Sequence, residues 1–335
     1  MDPRCRALED LVSFEPPALT GVGAERLREG PWRVVVTGAG GWLGLATLEL
    51  LAGLFGARFA DRVVCFGAQA RTLRLRGGVE IAQAPLAALA DLTPAPSLML
   101  HLAFVTQGPA MMLEADGYVT ANRALAAQVL SSLDRIGTEA VFQASSGAAH
   151  LADRGGGPQS KALYGWLKRE DEGAFADWAT RRGARAAIGR IFNLSGPYIN
   201  RRATYALASF IADAQAGRPL RVGAATPVWR SYVAISALMS VVAGALTDGA
   251  AGVTAFETAG ERTVEVGELA RIIAEMLGAP GVERPAFDPD APGDRYVGDG
   301  RVFAQLARAH AVAPIDLAAQ IRQTAAFMTE FPDAG

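Results

Sequence analysis

Short apolar runs alternate along the chain with longer stretches of helical periodicity. The runs fall at Trp32–Thr37, Arg62–Phe66, Val79–Ala82, Leu98–Ala103, Ala140–Ala144, Ala186–Phe192 and Val253–Glu257. Most have the length and the near-continuous apolar character of strands buried on both faces. Helical patterns lie at Leu43–Phe55, Tyr118–Asp134 and Leu163–Arg181. Strands that alternate with helices predict right-handed crossovers and a parallel sheet covered on both faces. The Arg-Gly-Gly-Gly-Pro stretch at 154–158 reads as a loop. Beyond Gly196-Pro197 the pattern loosens, and Pro219, Pro227, Pro285, Pro289 and Pro292 punctuate shorter elements.

The first strand leads straight into a glycine-rich turn, Arg33-Val-Val-Val-Thr37-Gly38-Ala39-Gly40-Gly41-Trp42-Leu43-Gly44, and then into an apolar helix. Gly38, Gly41 and Gly44 stand at three-residue spacing, which lets the backbone turn tightly and approach a pyrophosphate at the helix N-terminus. A strict Gly-x-Gly-x-x-Gly reading fails, because Leu43 occupies the last glycine position. The fold class is therefore read as α/β, a Rossmann-like doubly wound parallel sheet with a smaller, discontinuous C-terminal substrate-binding lobe. Residues 31–196 form the nucleotide-binding domain in this reading, and 228–258 return to it. Residues 197–227 and 259–330 build the lobe, and 1–30 are a partly ordered extension.

A second signal lies in Tyr164-Gly-Trp-Leu-Lys168. Only two lysines stand in the chain against thirty arginines, the other being Lys161. Positions four apart share a helix face, so Tyr164 and Lys168 project together. A compact ammonium favours the phenolate, so the spacing predicts a tyrosine of lowered pKa, usable in proton transfer near neutral pH.

Composition narrows the class of function without naming it. Half of the 335 residues are hydrophobic and a fifth are charged, enough for a large core. The formal net charge is −2 and no basic run is dense enough to imply nucleic acid. Two cysteines, Cys5 and Cys65, make no disulfide framework, which fits a reducing cytoplasm. The first thirty residues lack a signal-peptide pattern, and no uninterrupted apolar stretch approaches the eighteen or so residues of a membrane span. His101, His150 and His310 are scattered, so no metal site is expected.

The glycine turn Thr37–Gly44 together with Tyr164-x-x-x-Lys168 resembles the short-chain dehydrogenase/reductase superfamily. More narrowly it resembles the extended branch, which holds sugar-nucleotide epimerases, dehydratases and reductases. Further strings follow in that branch's order. Leu100-His101-Leu102-Ala103-Phe104 is similar to its "HxAA", Asn122 to the asparagine of "NxxGT", and Gln143-Ala-Ser145-Ser146-Gly147 to its serine pair. Arg190-Ile-Phe-Asn193-Leu-Ser-Gly196-Pro197 is similar to "RxxNxxGP", and Arg230-Ser-Tyr-Val233 to "RxYVxVxD". The resemblance spans residues 32–330.

It implies a catalytic set of Ser146, Tyr164 and Lys168, with Ser145 the rival of Ser146. Tyr164 would exchange a proton with the substrate oxygen, Lys168 would hold the cofactor ribose, and Ser146 would bond the developing alkoxide. His150 stands where many relatives carry tyrosine. The implied cofactor contacts are Thr37, Gly38, Gly40, Gly41, Trp42, Leu43, Gly44, Gly67, Arg71, Leu102, Ala103 and Asn122, with Tyr164 and Lys168. Ser146, Asn193 and Arg230 would contact a nucleotide-sugar diphosphate or its sugar. A homodimer through the helices Tyr118–Asp134 and Leu163–Arg181 is implied as well.

Departures from the pattern refine the expectation. No acid stands near Gly67 at the end of the second strand, where NAD enzymes hold the ribose hydroxyl, and Arg71 lies close by. Ala84-Pro85 replaces the usual Gly-Asp after the third strand, so NADP is favoured and NAD possible. Gly147-Ala148 replaces the Asp-Glu pair of 4,6-dehydratases, which argues against dehydration. Ser236-Ala237 stands where acids usually follow "RxYVxV". The expected activity is reduction of a keto group on a nucleotide-linked sugar or related carbonyl, with Tyr164 as proton donor. The alternatives are a nucleotide-sugar epimerase with retained NAD and a non-catalytic NAD(P)-binding sensor.

Overall fold

Val34, Val35 and Val36 are all fully buried, yet Val34 and Val36 join one core and Val35 another. Strand side chains alternate between faces, so a run without polar positions demands cover on both sides. The computed structural model, which describes residues 16–106, 115–153 and 160–331, supplies that cover. Its strands are β1 (Arg33–Thr37), β2 (Val63–Gly67), β3 (Arg71–Arg74), β4 (Glu80–Pro85), β5 (Ser97–His101), β6 (Thr138–Ser146), β7 (Arg185–Ile191), β8 (Asn193–Ser195), β9 (Leu220–Arg221), β10 (Val228–Ala234), β11 (Gly252–Glu257), β12 (Thr263–Glu265), β13 (Val282–Glu283) and β14 (Asp294–Tyr296). The principal helices are α1 (Gly21–Glu29), α2 (Trp42–Phe55), α3 (Ala115–Leu133), α4 (Ser160–Arg182), α5 (Ala206–Gln215), α6 (Ile235–Thr247), α7 (Val266–Leu277), α8 (Arg301–Ala309) and α9 (Leu317–Glu330). The loop expected at 154–158 lies outside the described residues.

The large sheet has the order β11-β7-β6-β5-β1-β2-β4-β3, parallel except for β3 at its edge. All seven strands expected from the sequence belong to it. The chain winds outward from β1 through β2 and β4, then returns and continues through β5, β6, β7 and β11. The reversal between β1 and β5 opens a crevice at their C-terminal ends, where ligands of doubly wound sheets bind. On one face α2 and α6 pack Leu48, Leu51, Leu238 and Val242 against Val34, Leu98 and Phe142. On the other, α3 and α4 pack Val129, Leu133, Phe175 and Trp178 against Val35, Met99 and Val141. By length and composition the helical run Trp42–Arg62 would suffice to cross a membrane, with 44% of that window buried inside the protein.

Val228–Ala234 departs from expectation. It does not return to the large sheet, although α6 and β11 after it do. It is instead the centre of a second sheet, parallel to β8 and β14 and antiparallel to β12. The cause lies one strand earlier. The main-sheet strand β7 ends at Ile191, and β8 starts at Asn193 in the other sheet, where it offers β10 an edge. Behind this sheet α5, α7 and α9 bury Leu207, Ile211, Leu269, Ile273 and Ile321 in a core of their own.

Within the expected N-terminal extension, residues 21–29 form α1, seated on α6. Ser240 Oγ accepts from Thr20 N at 3.0 Å, and His310 O accepts from Val22 N at 2.9 Å. Arg62 closes the C-terminus of α1 by donating to Leu27 O and Gly30 O at 3.1 and 2.8 Å, with its guanidinium over the Phe55 ring. Gly23 lies directly on the Gly244 backbone, so a Cβ there would collide with main chain that has nowhere to go. Gly23→Ala should therefore lower unfolding free energy by about 1–3 kcal/mol, as overpacking does. The exposed Gly53, with open space around its Cβ, is the control, and Gly53→Ala should be neutral or stabilising by up to about 1 kcal/mol. Urea denaturation of the two variants checks both signs; equal stability would detach α1 from the core.

Candidate active site

The C-terminal ends of β1, β5 and β6 open into a cavity of about 760 Å³ that continues between the large sheet and the second lobe. Its floor is the glycine turn. Gly38 holds φ = 71°, and a Cβ there would lie 2.6 Å from Ala103 N, so the turn closes on the β5 loop only without a side chain. Gly41 caps α2 with no side-chain acceptor, leaving the helix's first amides to an anion. Gly38, Gly40, Gly41, Trp42, Leu43, Gly44, Gly67, Leu102 and Ala103 all line the cavity. This cradle fits the pyrophosphate of a dinucleotide.

Two expected contacts are braces instead. Thr37 is fully buried, with Oγ1 2.9 Å from His101 Nδ1. Asn122 clamps the β5 loop: its Oδ1 accepts from Val105 N at 2.8 Å, and its Nδ2 donates to Val105 O at 3.3 Å. Neither lines the cavity; they hold the loop that does.

At the adenosine end Arg71 opens β3 and donates from Nη2 to Gly40 O at 3.2 Å. Beside it Gln83 donates to Gln69 O at 2.7 Å, while its Oε1 is buried without a partner among the described residues.

The trio implied by the resemblance comes together. Ser146 ends β6, and Tyr164 and Lys168 lie one helical turn apart on α4. Ser146 Oγ stands 3.4 Å from Tyr296 Oη and lies near enough to the Tyr164 hydroxyl to favour its phenolate. Ser145 faces away, donating to Glu172 Oε1 at 2.5 Å, so of the two serines Ser146 addresses the phenols. The tyrosine's pKa reverses expectation. Burial pushes Tyr164 up to about 12, Ser146 only partly opposes this, and Lys168 makes no resolved contribution. Spacing placed the cation nearby but took no account of desolvation. Lys168 is itself buried, donates to Ala144 O at 2.8 Å and lies 3.9 Å from the centroid of the Phe104 ring. Burial lowers its pKa to about 8, and Asp171 and Glu172 oppose that shift.

Behind the trio lies a charged network that sequence reading missed. Glu172 receives Arg190 Nε at 2.8 Å and Nη2 at 2.9 Å, a two-pronged pair. His150 Nε2 meets Glu257 at 2.6 Å. The available signal was periodicity, since Glu172 repeats the four-residue step of Tyr164 and Lys168.

On the lobe side, Asn193 donates to Ser231 O and Tyr296 O at 3.3 and 3.1 Å and lines the cavity. Arg230 also lines it, paired with Asp294 at 2.7 Å. Sequence reading missed Phe104, Arg201, Tyr205 and Tyr296, which have no periodic setting. Arg201, at φ = 50°, lines the mouth and donates to Thr106 Oγ1 at 3.3 Å. Among the described residues the lining thus holds Arg71, Lys168, Arg201 and Arg230 and no carboxylate. No cluster suited to a metal ion occurs among the described residues.

Solved structures share the fold. A UDP-N-acetylglucosamine 4-epimerase from Methanobrevibacter ruminantium, in complex with UDP-N-acetylmuramic acid, is 17% identical. It superposes with a TM-score of 0.67 over 90% of this chain and 99% of its own. A dTDP-glucose 4,6-dehydratase from Streptomyces venezuelae, with NAD bound, gives 19% and 0.66 over 89% and 97%. A UDP-glucuronic acid 4-epimerase from Bacillus cereus, in complex with NAD, gives 14% and 0.62 over 89% and 99%. No curated protein matches the chain in sequence. A family model, however, matches residues 34–259, more than half of its length. With its glycine cradle at the head of a doubly wound sheet, the chain belongs to the NAD-dependent epimerase/dehydratase family.

Proposed function

We propose that the protein reduces a keto group on a nucleotide-linked sugar or a related anionic carbonyl compound, drawing on NADPH. The observation that carries this reading is the pairing of an acid-free β2 end at Gly67 with Arg71 reaching over the glycine turn. A carboxylate there would repel a 2′-phosphate, whereas a guanidinium fork suits one. The remaining cations, Arg201 and Arg230 on the lobe side, suit a substrate that carries its own phosphates.

NADPH supplies the hydride when bound. Ser146 and Tyr164 direct hydroxyls to the carbonyl oxygen on which charge develops. Tyr164, protonated throughout the neutral range, gives its proton to that oxygen to form the alcohol and regains one from solvent. Lys168, still cationic at neutral pH, keeps donors for a ribose beyond its bond to Ala144. Dehydration is disfavoured by space as well as sequence. A Cβ at Gly147 would lie 2.6 Å from the Phe192 ring, leaving no room for an acid there. The reading places the reaction in the cytoplasm, where reduced cofactor is replenished.

The second reading is a nucleotide-sugar epimerase with retained NAD, supported by the two 4-epimerases among the structural neighbours, of which the Bacillus cereus enzyme is in complex with NAD. The third, a non-catalytic sensor, is opposed by the assembled trio. Purified protein should consume stoichiometric NADPH with a 4-keto nucleotide sugar, and Tyr164→Phe should slow turnover roughly a hundredfold or more while cofactor still binds. Interconversion of two nucleotide sugars without net oxidation would replace reduction by epimerisation, and no turnover at all would favour the sensor.

Arg71→Ala should weaken NADPH binding by about 1.5–3 kcal/mol and leave NADH almost unchanged, as titration of cofactor fluorescence will read. Equal losses for both cofactors would make Arg71 an unselective surface charge.

We also propose a homodimer through α3 and α4. Their outward faces present Trp166, 43% exposed, beneath the Arg123 guanidinium, which pairs with Glu170 at 3.1 Å. Light scattering at micromolar concentration should give twice the chain mass, and a monomer mass would refute the assignment.

A further inference from the structure

Phe104 occupies the position where "HxAA" has its last alanine, and in this fold its ring lies on the Lys168 side of the cavity. The ammonium nitrogen is 3.9 Å from the ring centroid. The same ring meets Tyr164 edge-on, with centroids 5.3 Å apart and planes at 89°, and Tyr118 at 6.4 Å and 75°. Its backbone cannot drift, because Asn122 clamps the next residue, Val105, through both amide and carbonyl. Among the described residues no carboxylate oxygen comes within ion-pair distance of Lys168, whose hydrogen bond goes to a neutral carbonyl, Ala144 O. A buried ammonium with that little direct compensation is costly. The negative face of an aromatic ring is a further source of it.

We propose that Phe104 is a positioning residue of this site: its ring face holds the Lys168 ammonium in place and cationic, and its edge contact fixes the Tyr164 phenol against it. The catalytic consequence rests on the proposed reaction; the charge state of Lys168 does not. Other charged or titratable groups around the ammonium are Asp171 and Glu172 from α4, His101 from β5, and Arg190 from β7 through its pair with Glu172. The two acids favour the charged form. His101, whose own pKa burial pushes down to about 3, is neutral and contributes no competing positive charge at working pH. Loss of the ring face must therefore move the Lys168 titration toward lower pH, since it removes an interaction made only with the charged form.

The scarcity of lysine makes this measurable. Protein labelled with [6-13C]lysine gives two side-chain signals, and Lys161→Arg assigns them by removing one. In Phe104→Leu, which keeps bulk and loses the π face, the Lys168 midpoint should fall by about one pH unit from its value near 8, a tenfold change in protonation. In Phe104→Tyr it should stay within a few tenths of a unit of the native value, and the Lys161 signal should not move in either variant. An unchanged midpoint in the Leu variant overturns the proposal, and so does an equal fall in the Tyr variant, which would assign the effect to packing. Should the Leu variant fail to fold, Phe104→Trp decides: a midpoint at or above the native one supports the ring-face contact, and a lower one overturns it. With NADPH and a 4-keto nucleotide sugar, the alkaline limb of kcat/KM should shift with the Lys168 midpoint. A native protein that consumes no NADPH removes the reductase reading alone, because the titration needs no substrate.

Discussion

The Glu172 carboxylate holds the site together. It lies on α4, takes both prongs of Arg190 from β7, and accepts the Ser145 hydroxyl from the end of β6. Three elements thus meet on one buried charge, and two of them carry the trio, Ser146 at the end of β6 and Tyr164 and Lys168 on α4. Replacing such a pair by apolar residues can be neutral, but removing one partner strands the other charge at a cost of about 3–5 kcal/mol. The pair therefore acts chiefly as a specification. With Glu172 in place, the helix register is fixed and Tyr164 reaches Ser146, because two four-residue steps on one helix face separate the phenol from the carboxylate.

A second set of ties fixes the lobe against the sheet domain. Trp42, in the first turn of the cofactor-side helix, donates its indole proton to Pro197 O at 2.9 Å and packs against Tyr205. Tyr198 donates to Glu49 at 2.6 Å and accepts from Arg76 N at 2.7 Å, while Arg76 pairs with the same carboxylate. Tyr198 and Arg201 both take positive φ, 62° and 50°, which non-glycine residues adopt at a cost. The segment's hydrogen bonds hold it there, and it walls the cavity where the lobe meets the cofactor cradle.

What the sequence made legible follows from what periodicity encodes. The valines of β1 and the leucines of α2 could be read because a doubly covered sheet leaves no polar face to confuse the pattern. Strand β3 escaped, since in Arg71-Thr72-Leu73-Arg74 only Leu73 is buried, and an exposed edge resembles a loop. Val228–Ala234 was recognisable as a segment but not by its sheet, because pairing partners are chosen by the chain path at Phe192, one strand earlier. The glycine turn and the Tyr164–Lys168 step were visible as spacing. The Tyr164 pKa was not, for burial lies in three dimensions and outweighed a cation whose presence spacing had foreseen. Tyr296 was invisible for the same reason, since it reaches the trio from a short strand without a repeat, and Phe104 could be read as part of the "HxAA" string but not as a neighbour of Lys168.

The charges around the site show why net charge is a poor guide to what it binds. Overall the chain is slightly acidic, yet among the described residues the cavity lining holds four cationic side chains and no carboxylate. The missing acids stand one layer back. Asp171 and Glu172 are buried behind Lys168, where burial pushes Asp171 up to about 6 and the ammonium opposes the shift. From there they favour the charged lysine without facing a ligand's phosphates. A carboxylate moved into the lining would still compensate Lys168, but it would repel the anion the cradle is shaped for. A low-dielectric cleft also focuses the field of its lining charges more than that of distant surface groups. The attraction for an anion therefore depends on this layering, with the Phe104 ring as an uncharged compensating surface on the ligand's side of the lysine.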